Sequence, residues 1–160
     1  MTDIAIRDAT ADDFPAIATL LPRLADVVLP AWRTPDEVIR AEAAALQSAM
    51  EDPSPDGAIF VAQVDGAIAG FIYLVALSDY FRGEAHSHIS MLAVAATATG
   101  RGVSSRLMAK AEAWSREQGH TMITLNVFHD NEHAKAVYAH FGYRPETLRY
   151  VKNLPPAEPG

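Results

Sequence analysis

Two glycines, Gly100 and Gly102, join two apolar stretches of different period, and that junction restricts the folds open to this chain more than any other feature. Before it, "HISMLAV" is compact and apolar, the pattern of a buried strand. After it, Val103, Leu107, Ala111 and Trp114 recur at helical spacing on one face. A strand that turns through glycine into a helix presents that helix's first N–H groups and its positive dipole end to whatever lies in front of them. An anion suits that place, most often a phosphate. The junction therefore predicts a phosphate-bearing ligand and leaves open which one.

Composition narrows the classes that can carry such a site. The chain has 160 residues, 49% of them hydrophobic, which predicts one soluble domain over residues 1–154 and a frayed tail, "PPAEPG", over 155–160. No apolar run approaches the roughly 18 residues of a membrane helix. The opening "MTDIAIRDATADDF" carries acids where a signal peptide has a cationic start, so the cytoplasm is the expected compartment. With no cysteine, disulfides, thiolate metal sites and a cysteine nucleophile are excluded. Residues 1–60 hold 11 acids and 4 bases, whereas residues 61–160 hold 9 of each, so the whole net charge of −7 sits in the first part. That argues against a nucleic-acid partner and leaves two readings, a cationic partner or solvated helix faces.

The order of elements follows from local signals. "IAIRDA" reads as a strand, and residues 11–28 as a helix with Asp12 and Asp13 in its first turn. Thr34, Pro35 and Glu37 have the spacing of a capping box opening a second helix. "AIFVAQV", the Asp65-Gly66 pair and "AIAGFIYLVAL" form a hairpin signal. "HSHISMLAV" is a fourth strand, 101–118 a third helix ended by Gly119, and "TMITLNV" a fifth strand. Asn131 caps a fourth helix that runs to Gly142, and "YRPETLRYVKNL" reads as one or two closing strands. Hairpins mixed with helical crossovers predict an α+β fold, a single mixed sheet of six to seven strands with helices on both faces.

Two familiar glycine loops do not match. A P-loop needs Lys then Ser or Thr after its second glycine, and Gly102 is followed by Val103 and Ser104. The dinucleotide fingerprint lacks its third glycine, follows a hairpin where a βαβ unit is expected, and has no acidic residue closing a strand about 20 residues further on.

Two blocks taken together are more specific. "LAVAATATGRGVSSRLM" followed by "ITLNVFHDNEHAKAVYAHFGYRP" resembles the acyl-CoA-binding half of the GNAT-type N-acetyltransferase superfamily, over about residues 89–154. The loop positions are Thr99, Gly100, Arg101, Gly102, Val103 and Ser104, with Thr99 and Ser104 departing from the usual Arg or Gln and the usual Gly or Ala. The resemblance implies acetyl-CoA as cosubstrate and a V-shaped cleft between strands 4 and 5. It places the pantetheine arm on strand backbone at Leu92 and Val94, and the pyrophosphate on the N–H groups of Gly100, Arg101, Gly102, Val103, Ser104 and Ser105. Asn131 would bond to the arm from the other side.

The chemistry so implied is transfer of an acetyl group to a primary amine of a small molecule or peptide. Such an amine is mostly protonated at neutral pH, so a base helps. His88 lies six residues before Val94, where the family often carries a catalytic Glu or His; the bland reading is a hydrogen-bonded strand histidine. His86 shares its face by period two, and the base stays open between His88, His86 and a water chain. An H-x-H pair also binds metals, but no third ligand is evident and no metal is expected. Tyr138 falls seven residues after Asn131, where the family places the tyrosine that protonates the leaving thiolate; the alternative is a packed aromatic beside Val137 and Phe141. His133 and His140 read as a solvated face, and Trp32, Tyr80 and Phe81 as aromatics bordering the acceptor pocket or filling local gaps. The residues do not name the acceptor, and a homodimer stays open. The competing function is an acyl-CoA sensor or regulatory domain that binds without turnover.

Overall fold

The structure, a computed structural model, describes residues 3–159. Among these, five strands form one sheet in the order β1 (Ile4–Asp8), β2 (Ala58–Val64), β3 (Ala67–Ser78), β4 (Ala85–Val94) and β5 (Ile123–Leu125). The first four are antiparallel and β5 runs parallel to β4, so the sheet is mixed. The Asp65-Gly66 turn closes the β2–β3 hairpin with both φ angles positive, 52° and 85°, as a two-residue turn of this hand requires.

Helices cover both faces. α3 (Val103–Glu117) buries Val103, Leu107, Met108 and Ala111 against Phe60, Ala62, Ile72, Leu74 and Ile89. On the opposite face Ile17 of α1 (Phe14–Ala18) and Leu46 of α2 (Pro35–Glu51), with Leu20 and Leu21, pack on Val61, Phe71, Met91 and Ala93. α2 begins as the sequence predicts, with Thr34 Oγ1 accepting from the Glu37 N–H at 3.2 Å. Gly70 of β3 lets α3 approach closely, since a Cβ there would lie 2.9 Å from Val103 Cγ1 and 3.2 Å from Leu107 Cδ1. The start of α3 is thereby seated directly on the sheet.

Three expectations are corrected. The single helix over 11–28 is α1 flanked by 3₁₀ turns at Ala11–Asp13 and Leu21–Leu24. Pro22 has no N–H to continue an α-helix, and the chain tightens into 3₁₀ bonds such as Leu20 N–H to Ile17 O at 2.9 Å. Second, β5 is three residues long, because its pairing with β4 stops at Ile89 and Leu125. Third, the sheet has five strands where six to seven are expected: residues 144–154 form no strand. Leu148, Tyr150 and Leu154 stand in solvent there, so the alternation in "YRPETLRYVKNL" has no sheet face to pack on.

Candidate active site

The register of β4 shapes the site. Tyr73 pairs with Met91 and Leu74 with Ile89, so Ser90 is an extra residue on β4, a bulge that bends the strand just where its pairing with β5 ends. Ala95 N–H donates to Ala69 O at 2.8 Å, which turns the backbone of Ala93 and Ala95 toward β3 and, by alternation, that of Leu92 and Val94 away from it.

A cavity of about 630 Å³ lies on that open side. Its walls are residues 89–94 of β4, the loop into α3, residues 125–128, and α4 (Glu132–His140) with its cap. Arg23, Asp26, Val38 and Glu42 complete the lining, with Arg23 paired to Asp26 at 3.2 Å.

Nine sequence-predicted site residues line this one cavity: Leu92, Val94, Gly100, Gly102, Val103, Ser104, Ser105, Asn131 and Tyr138. Gly102 is the N-cap of α3, with φ 85° and ψ 11° and no side-chain cap on the helix's first N–H groups. Residues 103–105 thus begin a helix whose initial N–H groups have no carbonyl four residues back. Asn131 Oδ1 accepts from Ala134 N–H at 3.1 Å, capping α4, which leaves its NH₂ end as a donor. Tyr138 is half-buried, packs edge-to-face on Tyr143 with centroids 5.9 Å apart, and is pushed above the usual phenol range by burial. Tyr143 is pushed up to about 12, chiefly by burial and then by Glu112 and Tyr138, and its buried hydroxyl has no partner among the described residues.

Two predicted residues lie off the cavity wall. Arg101 pairs with Asp65 of the β2–β3 turn at 3.6 Å. His88 adjoins the wall residue Ile89 but turns Nδ1 to Thr124 Oγ1 at 2.7 Å. Burial, and then the like charge of His86, hold His88 below the ordinary histidine range, so it is neutral at pH 7. His133 is exposed on the cavity rim, whereas Trp32, Tyr80 and Phe81 stand in solvent off it.

Three site residues were not anticipated. Arg23 Nε donates to Val94 O at 3.0 Å, tying the first helical region to the open edge of β4. Glu42 is a half-buried carboxyl on the cavity wall, with its pKa raised by desolvation. Its signal was in the sequence: Val38, Glu42 and Leu46 are four residues apart, so a carboxyl interrupts an apolar stripe. Thr124 is the third, and nothing in its local sequence marks it.

Residues 21–143 match the acetyltransferase (GNAT) family. The chain belongs to that family. It is similar to the uncharacterized N-acetyltransferase YhfO of Bacillus subtilis, 26% identical over 152 residues that cover 94% of this chain and 97% of YhfO. The fold of this acetyltransferase matches a provisionally assigned acetyl transferase from Pyrococcus furiosus, with TM-score 0.76, 24% identity and 95% and 100% of the two chains covered. It also matches the aminoglycoside N-acetyltransferase AAC(6')-Iy in complex with CoA, with TM-score 0.72, 19% identity, and 98% and 97% covered. Among the described residues no cluster of three or more His, Cys, Asp or Glu side chains can hold a metal ion, and no helix is long and apolar enough to cross a membrane.

Proposed function

We propose that this acetyltransferase moves an acetyl group from acetyl-CoA directly to a primary amine of a small cationic molecule or peptide. The observation that carries the reading is the cavity itself. Its lining brings together the unpaired edge of β4, the uncapped start of α3 and the half-buried carboxyl of Glu42. We read it as a V-shaped cleft between β4 and β5.

Acetyl-CoA supplies the thioester acyl group. In this reading the pyrophosphate rests on the N–H groups of residues 102–105, where bare amides and the dipole of α3 favour an anion. The amide groups of the arm pair with the backbone of Leu92 and Val94 as an added strand would. The Val94 carbonyl is already engaged by Arg23, so its N–H and the Leu92 backbone carry that pairing. Asn131 donates from the facing helix.

Three chemical needs fall to three groups of the chain. The Leu92 N–H faces the open side, placed to receive charge that develops on the acyl oxygen. His88, neutral at pH 7 and next to the wall residue Ile89, takes the proton of the amine through water. Tyr138 stays protonated at neutral pH and is the acid for the departing thiolate. Asp26 is paired with Arg23 at 3.2 Å, and Glu42 is the further carboxyl of the wall, which favours a cationic acceptor in line with the excess of acids over residues 1–60.

Isothermal titration with acetyl-CoA tests the first step. Saturable one-to-one binding that acetyl-pantetheine, which lacks the nucleotide and its pyrophosphate, does not reproduce supports the reading, and no heat at millimolar acetyl-CoA would remove it.

A further inference from the structure

The part of the molecule that holds β5 and α4 is thinly covered. Among the described residues from 116 to 159, none is fully buried. The cavity accounts for the exposure of wall residues such as Leu125, Val137 and Tyr138. Met122, Ile123 and Phe141 are apolar and lie off that wall, yet they are only partly buried. β5 is also an edge strand. It pairs with β4 on one side, and its outer side makes no backbone hydrogen bond among the described residues. Sheets commonly protect such edges with charge. β1, at the opposite edge, carries Arg7 and Asp8, whereas residues 121–127, "TMITLNV", carry none.

The same chain holds a strand without a sheet. Pro145 and Pro155 bound residues 146–154, "ETLRYVKNL", and no proline lies inside, so every N–H of the segment can pair. Thr147, Tyr150 and Val151 favour extended backbone. Leu148, Tyr150 and Leu154 fall on one side by alternation, and Thr147, Arg149 and Asn153 on the other. That is the pattern of a strand with one face on a core. Within one copy the apolar side is bare, with Leu148 67%, Tyr150 88% and Leu154 78% exposed. Among the described residues, 144–154 make no backbone hydrogen bond. At about 3.3 Å per residue the segment reaches about 30 Å, enough to run along the 121–127 edge.

Charge favours the same pairing. Residues 144–154 hold three bases and one acid, and the rest of the chain 10 bases and 19 acids. A basic strand is drawn to such an acidic body. Every copy carries one free strand and one free edge, so a two-fold pair satisfies both through an isologous exchange. We propose that the chain forms a strand-exchanged homodimer, in which residues 146–154 of one copy add to the outer edge of β5 in the other. Leu148, Tyr150 and Leu154 then pack by the partly buried Ile123 and Phe141, which belong to the α3-side core. Leu125, Asn126 and Val127 of the receiving segment also line the cavity, so each copy supports one wall of the site in the other. The exchange does not depend on the acetyl-transfer reading.

Sedimentation velocity on the whole protein, across the micromolar range, reads the oligomeric state. The parent is expected at twice the chain mass. Leu148→Glu combined with Tyr150→Glu is expected to weaken the dimer about 30-fold or more, as loss of central apolar anchors does. Both side chains are exposed within one copy, so the far-UV circular dichroism of the variant should match the parent. The absence of cysteine from the chain gives a second, independent measurement. Thr121→Cys and Arg149→Cys, both at exposed positions, are placed on separate chains, mixed, and joined with a short bis-maleimide. A mixed cross-linked dimer is expected, and with both substitutions on one chain the link should still run between copies. A monomeric parent, a dimer that survives the glutamate pair, or a link that closes within one chain overturns the proposal. A strand-exchanged dimer that acetylates no amine refutes the acetyl-transfer reading alone.

Discussion

Two glycines at opposite ends of α3 make a matched pair for testing where the phosphates bind. Gly102 and Gly119 have φ of 85° and 80°, and a Cβ added to either meets nothing within 4 Å. Alanine at each therefore carries the same penalty, backbone strain with no clash. Left-handed backbone costs a non-glycine residue about 1–2 kcal/mol, and the stiffer unfolded chain returns roughly 0.5 kcal/mol of it. The net loss is about 0.5–1.5 kcal/mol, and for a chain of this size that lowers Tm by roughly 1–6 °C. Scanning fluorimetry should give similar shifts for Gly102→Ala and Gly119→Ala. Titration with acetyl-CoA should separate them. Gly102 lines the cavity, so its new methyl group enters the space proposed for the pyrophosphate and weakens binding by about tenfold or more, roughly 1.4 kcal/mol. Gly119 is not on the cavity wall, and its variant should bind like the parent. Equal affinity for the two variants, whether both weakened or both intact, refutes the placement of the phosphates at α3.

Tyr138→Phe keeps the ring that packs on Tyr143 and removes the proton. It should fold, bind acetyl-CoA within a few-fold of the parent, and lose about 10²–10⁴ in kcat, roughly 3–5 kcal/mol. Lost stability in place of lost turnover assigns Tyr138 to packing. A neutral His88 is needed as the base, and burial lowers its pKa, so the acid limb of kcat/KM should lie below pH 6.5 and vanish in His88→Gln. Asp13, which is not on the cavity wall, accepts from Arg7 at 2.8 and 2.9 Å and from the Thr10 N–H at 2.7 Å, which lowers its pKa from 3.8 to about 2. A depressed carboxyl stabilises above its unfolded pKa and loses that contribution as pH falls through the folded one. The Tm gap between parent and Asp13→Asn should therefore be full at pH 5 and close between pH 4 and pH 2.

What the sequence made legible was what neighbouring residues decide. The Thr34 cap, the Asp65-Gly66 hairpin and the glycine entry to α3 each depend on a few consecutive side chains, and each stands where the pattern places it. The cluster of nine predicted residues around one cavity follows from the same local elements meeting at one end of the sheet. Pro22 was visible, but an apolar period running past it reads as one helix unless the missing N–H is weighed. The contacts of Arg23 and Thr124 were not readable. Arg23 meets Val94 across 71 residues, and Thr124 meets the two histidines only because a parallel register brings β5 beside β4. The tail over 144–154 misled for the opposite reason, since strand-like alternation describes a segment and not whether a partner strand is there to receive it.

The central claim is that the cavity performs acetyl transfer to a cationic amine, and one assay addresses it directly. Thiol release from acetyl-CoA would be followed over a panel of polyamines, aminoglycosides, amino acids and peptide N-termini, with the acetylated product identified by mass. The account predicts release that depends on the amine, is stoichiometric with N-acetylated product, favours acceptors with more than one positive charge, and weakens in Glu42→Gln. Tight acetyl-CoA binding with no amine-dependent thiol release across the whole panel would contradict it and make the cavity the site of a sensor.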